Sequence, residues 1–512
     1  MKRLILFLIS IIIITSAFSQ NRPAPPAPVA SPPREEKKSS SDITFNPDAA
    51  ISSTHEITIK GQRVPYKATA GTMPVWDEDG KTIAGLFYTL YERTDVKDQT
   101  SRPLIFSFNG GPGSASVWMH IAYTGPVVLN IDDEGYPVQP YGFKDNNQAI
   151  LDVADIVFID PVNTGFSRMM NKDIPRNKFF GVNADIKYLA EWINTFLSRY
   201  NRWASPKYLI GESYGTTRVS GLALELQQSQ WIYFNGVVLV SPTTLGIERS
   251  EPQSAALRVP YFAATAWYHK VLAPELLSKD LTAYLPEVED FTMNELLGAI
   301  NKGSALPEDQ KKKIAQKMSR YTGISEKIIL QNNLDISTSL FWKELLRDQG
   351  YTVGRLDSRY KGIDMKDAGE RPDYNSELTS WLHAFTPPIN MYLRETLNYK
   401  TDLKYNMFGP VHPWDNSNDQ TGANLGKAMA SNPYLHVMVQ SGYYDGACDY
   451  FNAQFNMWQI DPAGKFKDRM SWKGYRSGHM MYLRKEDLAT SNEHIREFIK
   501  KSMPKAGTPA KY

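Results

Sequence analysis

Between residues 208 and 226 the chain passes from a short apolar run, Tyr208 to Ile210, through Gly211-Glu212-Ser213-Tyr214-Gly215 and into a stretch where Val219, Leu222, Ala223 and Leu226 recur at helical spacing. Five residues therefore have to turn a buried strand into a helix. The pattern G-x-S-x-G does this as a sharp elbow that needs small neighbours and lifts a serine above the sheet edge. Such a pentapeptide is common by chance; the strand before it and the helix after it are what constrain the fold.

The rest of the chain repeats that alternation. Apolar runs at Leu104 to Phe108, Ile156 to Ile159, Tyr208 to Ile210, Val237 to Val240 and His436 to Val439 are separated by helical patterns. Ile186, Leu189, Ile193, Phe196, Leu197 and Tyr200 mark one amphipathic helix face between the second and third runs. This predicts an α/β fold, a mostly parallel sheet covered by helices. From about Gly246 to Tyr405 the pattern changes to helices and loops, including Glu308 to Arg320 and Ser376 to Leu397. A stretch of that length between two sheet strands reads as a helical cap inserted into the fold rather than a loop. The predicted organisation is a core first part over 43–245, a helical cap over 246–404 and a core second part over 405–505. At 512 residues, an insertion or second domain is expected on length alone. Trp267, Tyr268, Trp342 and Trp381 read as the cap's small core, some of them lining its entrance.

Ahead of the core, Lys2 and Arg3 precede an apolar run from Leu4 to Ile14, and Ala17-Phe18-Ser19 supplies small residues at the positions a signal peptidase reads. The expectation is a signal peptide over 1–19, cleaved after Ser19, and export to the periplasm or the outside. The competing reading is a membrane anchor, but an apolar stretch of about 15 residues falls short of the ~20 needed to span a bilayer, so no stable anchor is expected after cleavage. Residues 20–42, with Pro23, Pro25, Pro26, Pro28, Pro32 and Pro33, have the composition of a disordered spacer. A formal charge of +2 from 57 basic and 55 acidic residues gives no field that argues for nucleic acid or an anionic membrane. The one cysteine, Cys448, allows no disulfide within the chain.

A serine at an elbow needs a base within hydrogen-bond reach and a carboxylate to orient that base. His479, in Ser477-Gly478-His479-Met480 after a strand-like segment at Met470 to Tyr475, is the predicted base, whereas His494 falls on the polar face of a final helix as a solvated residue. Asp445, in Gly442-Tyr443-Tyr444-Asp445-Gly446, stands just past a strand end and is the predicted acid. Asp449 is the reserve, and the competing reading of Asp445 is a turn aspartate capping the next helix, common for an Asp beside Gly. The order Ser213, Asp445, His479 is that of an α/β-hydrolase. Asn109-Gly110-Gly111-Pro112-Gly113 directly follows the run ending at Phe108, where glycines permit close backbone approach and could present amides to an oxyanion. It lacks the lysine and hydroxyl of a phosphate loop. No metal-ligand spacing appears, and no cofactor is implied.

Together these segments resemble the serine carboxypeptidases. The resemblance rests on Asn109 to Gly113 (NGGPG), Asp160 to Ser167 (DPVNTGFS), Gly211 to Gly215 (GESYG), Ser441 to Cys448 (SGYYDGAC) and Gly478-His479-Met480, in the family's order, over about residues 50 to 500. It implies an α/β-hydrolase fold with a helical insertion, as in a bacterial-type exported member, and release of a free amino acid from peptide or protein C-termini through an acyl-enzyme. Carried over, Ser213, Asp445 and His479 are the triad, the amides of Gly111 and Tyr214 form the oxyanion hole, and Asn109, Gly110 and Glu212 hold the terminal carboxylate. Glu212 could donate to a carboxylate only when protonated, so a raised pKa and an acidic preference are expected.

Two positions depart from the family pattern. Ser107 stands where yeast and plant-type members have tryptophan, and Tyr123 where they have a second glutamate; the expectation is that Tyr123 donates a hydrogen bond in place of that acid. Ser114 replaces a cysteine that is disulfide-bonded in many relatives, and Cys448 matches the family's free thiol near the substrate pocket. The same triad would also serve an esterase or acyltransferase, and an exported binding protein without turnover is a reading from another class, against which the intact triad argues.

Overall fold

The computed structural model describes residues 43–505 and 507–509. The predicted signal peptide over 1–19 and the whole predicted spacer over 20–42 lie outside the described residues. Of the chain's two compact units, Met1–Thr44 is described only at residues 43–44, in irregular backbone; the other, Phe45–Tyr512, carries every element below.

Among the described residues ten strands form the main sheet: β1 (Ala49–Ile59), β2 (Gln62–Trp76), β3 (Thr82–Arg93), β4 (Leu104–Phe108), β5 (Asp155–Ile159), β6 (Arg168–Met169), β7 (Lys207–Glu212), β8 (Gly236–Val240), β9 (His436–Gly442) and β10 (Met470–Tyr475). Their spatial order is β1-β2-β3-β5-β4-β7-β8-β9-β10, with β6 paired to β3. The first three strands are antiparallel neighbours, and β3 meets β5 antiparallel. From β5 to β10 every pairing is parallel. The β1–β2 hairpin closes on Lys60 and Gly61, both with positive φ, as a two-residue turn requires. This is the α/β-hydrolase architecture, and the five apolar runs are five of its strands.

Those strands read as continuous apolar runs because both faces are covered. On one face Ile105, Ile156, Phe158, Ile210 and Val238 join a core with Ile495, Phe498 and Ile499 from the helix Lys485–Ser502. On the other, Phe106, Val157, Leu209, Val237 and Leu239 pack against the helices Val182–Arg199, Tyr214–Ser229 and Thr421–Ser431. Between β8 and β9 the chain is mostly helical, with helices such as Val259–Tyr268, Leu281–Phe291, Glu308–Thr322 and Ser376–Met391, and two two-residue strands, Thr352–Val353 and Lys361–Gly362. Trp381, Phe385 and Ile389 of Ser376–Met391 join the first core, whereas the first three of these helices build a third core around stacked Phe262 and Phe341, whose ring centroids lie 4.0 Å apart. Tyr443, Tyr444 and Tyr450 join that core, so the helical segment packs directly on the loop after β9.

Candidate active site

Parallel strands all end at one edge of the sheet, and the loops beyond their carboxyl ends meet there. Asn109 to Gly113 follows β4, Ser213 follows β7, Asp445 lies beyond β9 and His479 beyond β10. A cavity of about 340 Å³ opens over this edge, lined among others by Gly111, Glu212, Ser213, Tyr214, Cys448 and His479.

Ser213 has φ 57° and ψ −127°, a conformation that non-glycine residues seldom adopt and that persists where the surroundings over-determine it. Its amide donates to the Val240 carbonyl at 2.9 Å, and the helix Tyr214–Ser229 starts at the next residue. The turn fits because its neighbours lack side chains. A Cβ on Gly110 would overlap the Tyr214 amide nitrogen, and one on Gly215 would overlap the Phe108 carbonyl. The glycine loop and the elbow are therefore in direct backbone contact, which brings Gly111 and Tyr214 to the same wall of the cavity.

A buried ion pair holds that loop. Arg218, one turn into the helix, donates from Nε to Asp185 Oδ2 at 2.5 Å, and its other nitrogens donate to the carbonyls of Asn109 and Pro112, each at 2.7 Å. Both partners are essentially inaccessible to water, so the guanidinium has every reason to keep its partners.

His479 Nδ1 faces Asp445 Oδ2 at 2.7 Å, which leaves Nε2 as the nitrogen free for proton transfer. Asp445 is fully buried, and its other oxygen accepts from the amides of Ala447 and Cys448 at 2.9 and 3.0 Å. Burial acts to lower the imidazole pKa, but the Asp445 charge and hydrogen bond, helped by Glu212, outweigh it and leave the value raised. Burial and the Asp445 charge push the Cys448 thiol pKa well up. The donor atoms of Asp445, Cys448 and His479 lie within 4.8 Å of one another. As a metal-binding group the trio is poorly suited, because both Asp445 oxygens are already engaged. The helix-capping role belongs to Asp449, which accepts from the Asn452 amide at the start of Tyr450–Ile460.

Glu212, 3% exposed, accepts from Asn109 Nδ2 at 3.0 Å on one oxygen and from the Tyr482 hydroxyl on the other. Burial raises its pKa to about 7, against the pull of the His479 charge and the Tyr482 hydrogen bond. Tyr482, three residues beyond His479 in a short turn at Met481–Leu483, was not foreseen from the sequence. Tyr123 does not take the role expected of it. Its ring stacks on Tyr482 at 4.5 Å, but its hydroxyl donates to Gln440 at 2.7 Å rather than to Glu212. Gln440 in turn donates to Tyr475, whose hydroxyl meets His494 Nδ1 at 2.8 Å. His494 is thus half-buried and partnered rather than solvated. Ser107 is buried beneath the loop with its hydroxyl against the Met119 sulfur, away from Glu212. Ser114 accepts from the Trp118 indole at 2.7 Å and lines the cavity.

The helical segment contributes a strap, Gly354 to Tyr360. Gly446 N donates to the Arg355 carbonyl at 2.9 Å and His479 N to the Leu356 carbonyl at 2.7 Å. Asp357, held by the buried Arg359 guanidinium at 2.6 Å, accepts from the Gly478 amide at 3.3 Å. The loops carrying Asp445 and His479 are thereby tied to one stretch of backbone. The Leu356 amide donates to Glu377, a buried acid whose pKa desolvation raises to about 7. Trp381 from the same segment lines the cavity, as does Leu378.

Among solved structures, the prohormone-processing carboxypeptidase KEX1(delta)p of Saccharomyces cerevisiae shares the fold, with a TM-score of 0.52 and 15% identity over 85% of this chain and 91% of that one. In sequence, the pheromone-processing carboxypeptidase KEX1 of the same organism is 30% identical over 155 residues, 28% of this chain and 20% of that protein. Serine carboxypeptidase-like 8 of Arabidopsis thaliana is 26% identical over 207 residues, 39% of this chain and 44% of that protein. The chain thus spans less than half the length of either sequence relative. The family model described as serine carboxypeptidase matches residues 59–482, and the chain belongs to that family.

Proposed function

We propose that this protein is a serine carboxypeptidase that removes residues from peptide C-termini through an acyl-enzyme, with Ser213, His479 and Asp445 as its catalytic triad. The observation that carries the reading is Glu212, a buried acid beside the nucleophile, paired with Asn109 and titrating at about 7. An exopeptidase has to recognise a free carboxylate next to the attacked carbonyl, and a protonated carboxyl beside an amide side chain does this. In the first step Ser213 Oγ attacks the scissile carbonyl carbon while His479 Nε2 takes its proton. The amides of Gly111 and Tyr214 receive the oxyanion at the start of a helix, where backbone N–H groups favour negative charge. The C–N bond then breaks, His479 returns the proton to the departing amine, and an amino acid leaves. Water, deprotonated by His479, cleaves the ester and restores Ser213.

The reading predicts stepwise loss of C-terminal residues from a peptide mixture followed by mass analysis. It also predicts Ser213 labelling by a fluorophosphonate that Ser213→Ala abolishes. Hydrolysis of esters with no release of amino acid from a peptide bearing a free carboxylate would refute it in favour of an esterase or acyltransferase.

The basic and apolar N-terminus followed by Ala17-Phe18-Ser19 supports export and removal of residues 1–19. N-terminal sequencing of the mature protein should begin at Gln20; a start at Met1 would overturn this. Among the described residues no helix is long and apolar enough to cross a membrane.

A further inference from the structure

The cavity over Ser213 has mostly apolar and backbone walls, with Trp118, Trp381, Phe408 and Met480 among them. Its one lysine or arginine is Arg355. Among the described residues the Arg355 side chain forms no ion pair within 4.0 Å and no hydrogen bond, and it is exposed to solvent. Its backbone, by contrast, is fixed. The Arg355 carbonyl accepts from Gly446, next to Asp445, and the following residue is bonded to both His479 and Glu377. Arg355 lines the cavity together with Ser213, Cys448 and His479. The other guanidinium groups around the site, on Arg218 and Arg359, are buried and fully engaged with carboxylates and carbonyls.

We infer that Arg355 is a specificity-determining residue that receives a substrate carboxylate, an acidic side chain on one of the two residues flanking the scissile bond. A planar guanidinium with free donors recognises a carboxylate through paired, charge-assisted hydrogen bonds. On the carboxypeptidase reading the carboxylate at the chain end is provided for by Asn109 and Glu212, so the partner for Arg355 is a side chain. The apolar walls would hold that side chain's methylenes while its charged end reaches the strap. This inference rests on the carboxypeptidase reading of the site.

The test compares kcat/KM for blocked peptides that differ only as Glu or Gln at the penultimate position, and for a second set that differ at the terminal position, in wild type, Arg355→Met, Arg355→Lys and Arg355→Glu. Wild type should favour Glu about tenfold or more at one position, as expected for a hydrogen-bonded charge pair. Arg355→Met should remove the preference, Arg355→Lys should keep part of it, and Arg355→Glu should transfer it to Lys-containing peptides. An equal Glu to Gln ratio in wild type and Arg355→Met at both positions overturns the inference, as does a uniform loss across all peptides, which would point to the terminal carboxylate instead. If no peptide yields an amino acid, the carboxypeptidase reading has failed, and acyl esters carrying Glu or Gln in the acyl part then read the same ratio for Arg355.

Discussion

Replacing Tyr482 with Phe removes one hydroxyl and leaves the ring free to stay stacked on Tyr123, so the change falls on the carboxyl of Glu212. Burial holds that carboxyl at about 7, and the tyrosine hydroxyl is one of the groups keeping it from rising further. A hydrogen bond to a charged oxygen contributes about 1.5–3 kcal/mol, and 1.36 kcal/mol moves a titration by one pH unit. The neutral acid also loses part of this bond, so the net expectation is an upward move of about one pH unit. If a protonated Glu212 recognises the substrate, the alkaline limb of kcat/KM on a blocked dipeptide with a free carboxylate should shift to higher pH in Tyr482→Phe. The corresponding ester, which offers no carboxylate, serves as the control and should keep its limb. A limb that stays in place or moves down with the dipeptide, or that moves equally with both substrates, would refute the role given to Glu212.

Asp185→Ala strands the Arg218 charge in the core, and removing one partner of such a pair costs about 3–5 kcal/mol; urea denaturation should show this, with a fall in kcat because Arg218 also holds the glycine loop. A loss below about 1 kcal/mol would mean that Arg218 finds another partner. Glu377 titrates at about 7 in the folded chain against 4.5 as a free side chain, so the folded state binds its proton more tightly. Its contribution to stability is complete below pH 4.5 and lost as pH rises through 7, about 3 kcal/mol in all. Glu212, Asp160 and Asp449 act with the same sign. Glu377→Gln should therefore lose less stability than wild type between pH 5 and pH 8, and an unchanged loss would exclude Glu377 as a contributor.

Much of the sheet and three site residues could be read from the sequence because they leave local signals. Buried parallel strands are apolar runs, the elbow around Ser213 is bounded by a strand and a helix, and Asp445 and His479 follow strand-like segments. What escaped reading depends on side chains that meet across long chain separations. Tyr482 reaches Glu212 across 270 residues, and its only local hint is its place three residues after His479. The Tyr123 hydroxyl donates to Gln440, 317 residues on, rather than to the acid. His494 has the spacing of a surface residue on an amphipathic helix, yet the Tyr475 hydroxyl beneath it makes it a partner. Arg355 and Asp357 come from a segment whose pattern indicates only helices and loops. Nothing in periodicity shows that its backbone would lie across the loops carrying Asp445 and His479.

The strap has a consequence for how enzymes of this architecture can diversify. If the helical segment were a detachable module, exchanging it for another would change substrate choice and leave the chemistry intact. Here such a graft would remove the carbonyls of Arg355 and Leu356 and the carboxylate of Asp357, leaving the amides of Gly446, His479 and Gly478 without acceptors. Recombination at the segment's borders would thus remove support from the loops carrying Asp445 and His479, whereas point substitution at position 355 alters a side chain whose backbone stays in register. If Arg355 sets substrate choice as proposed, that choice can be revised at one side chain without disturbing the strap.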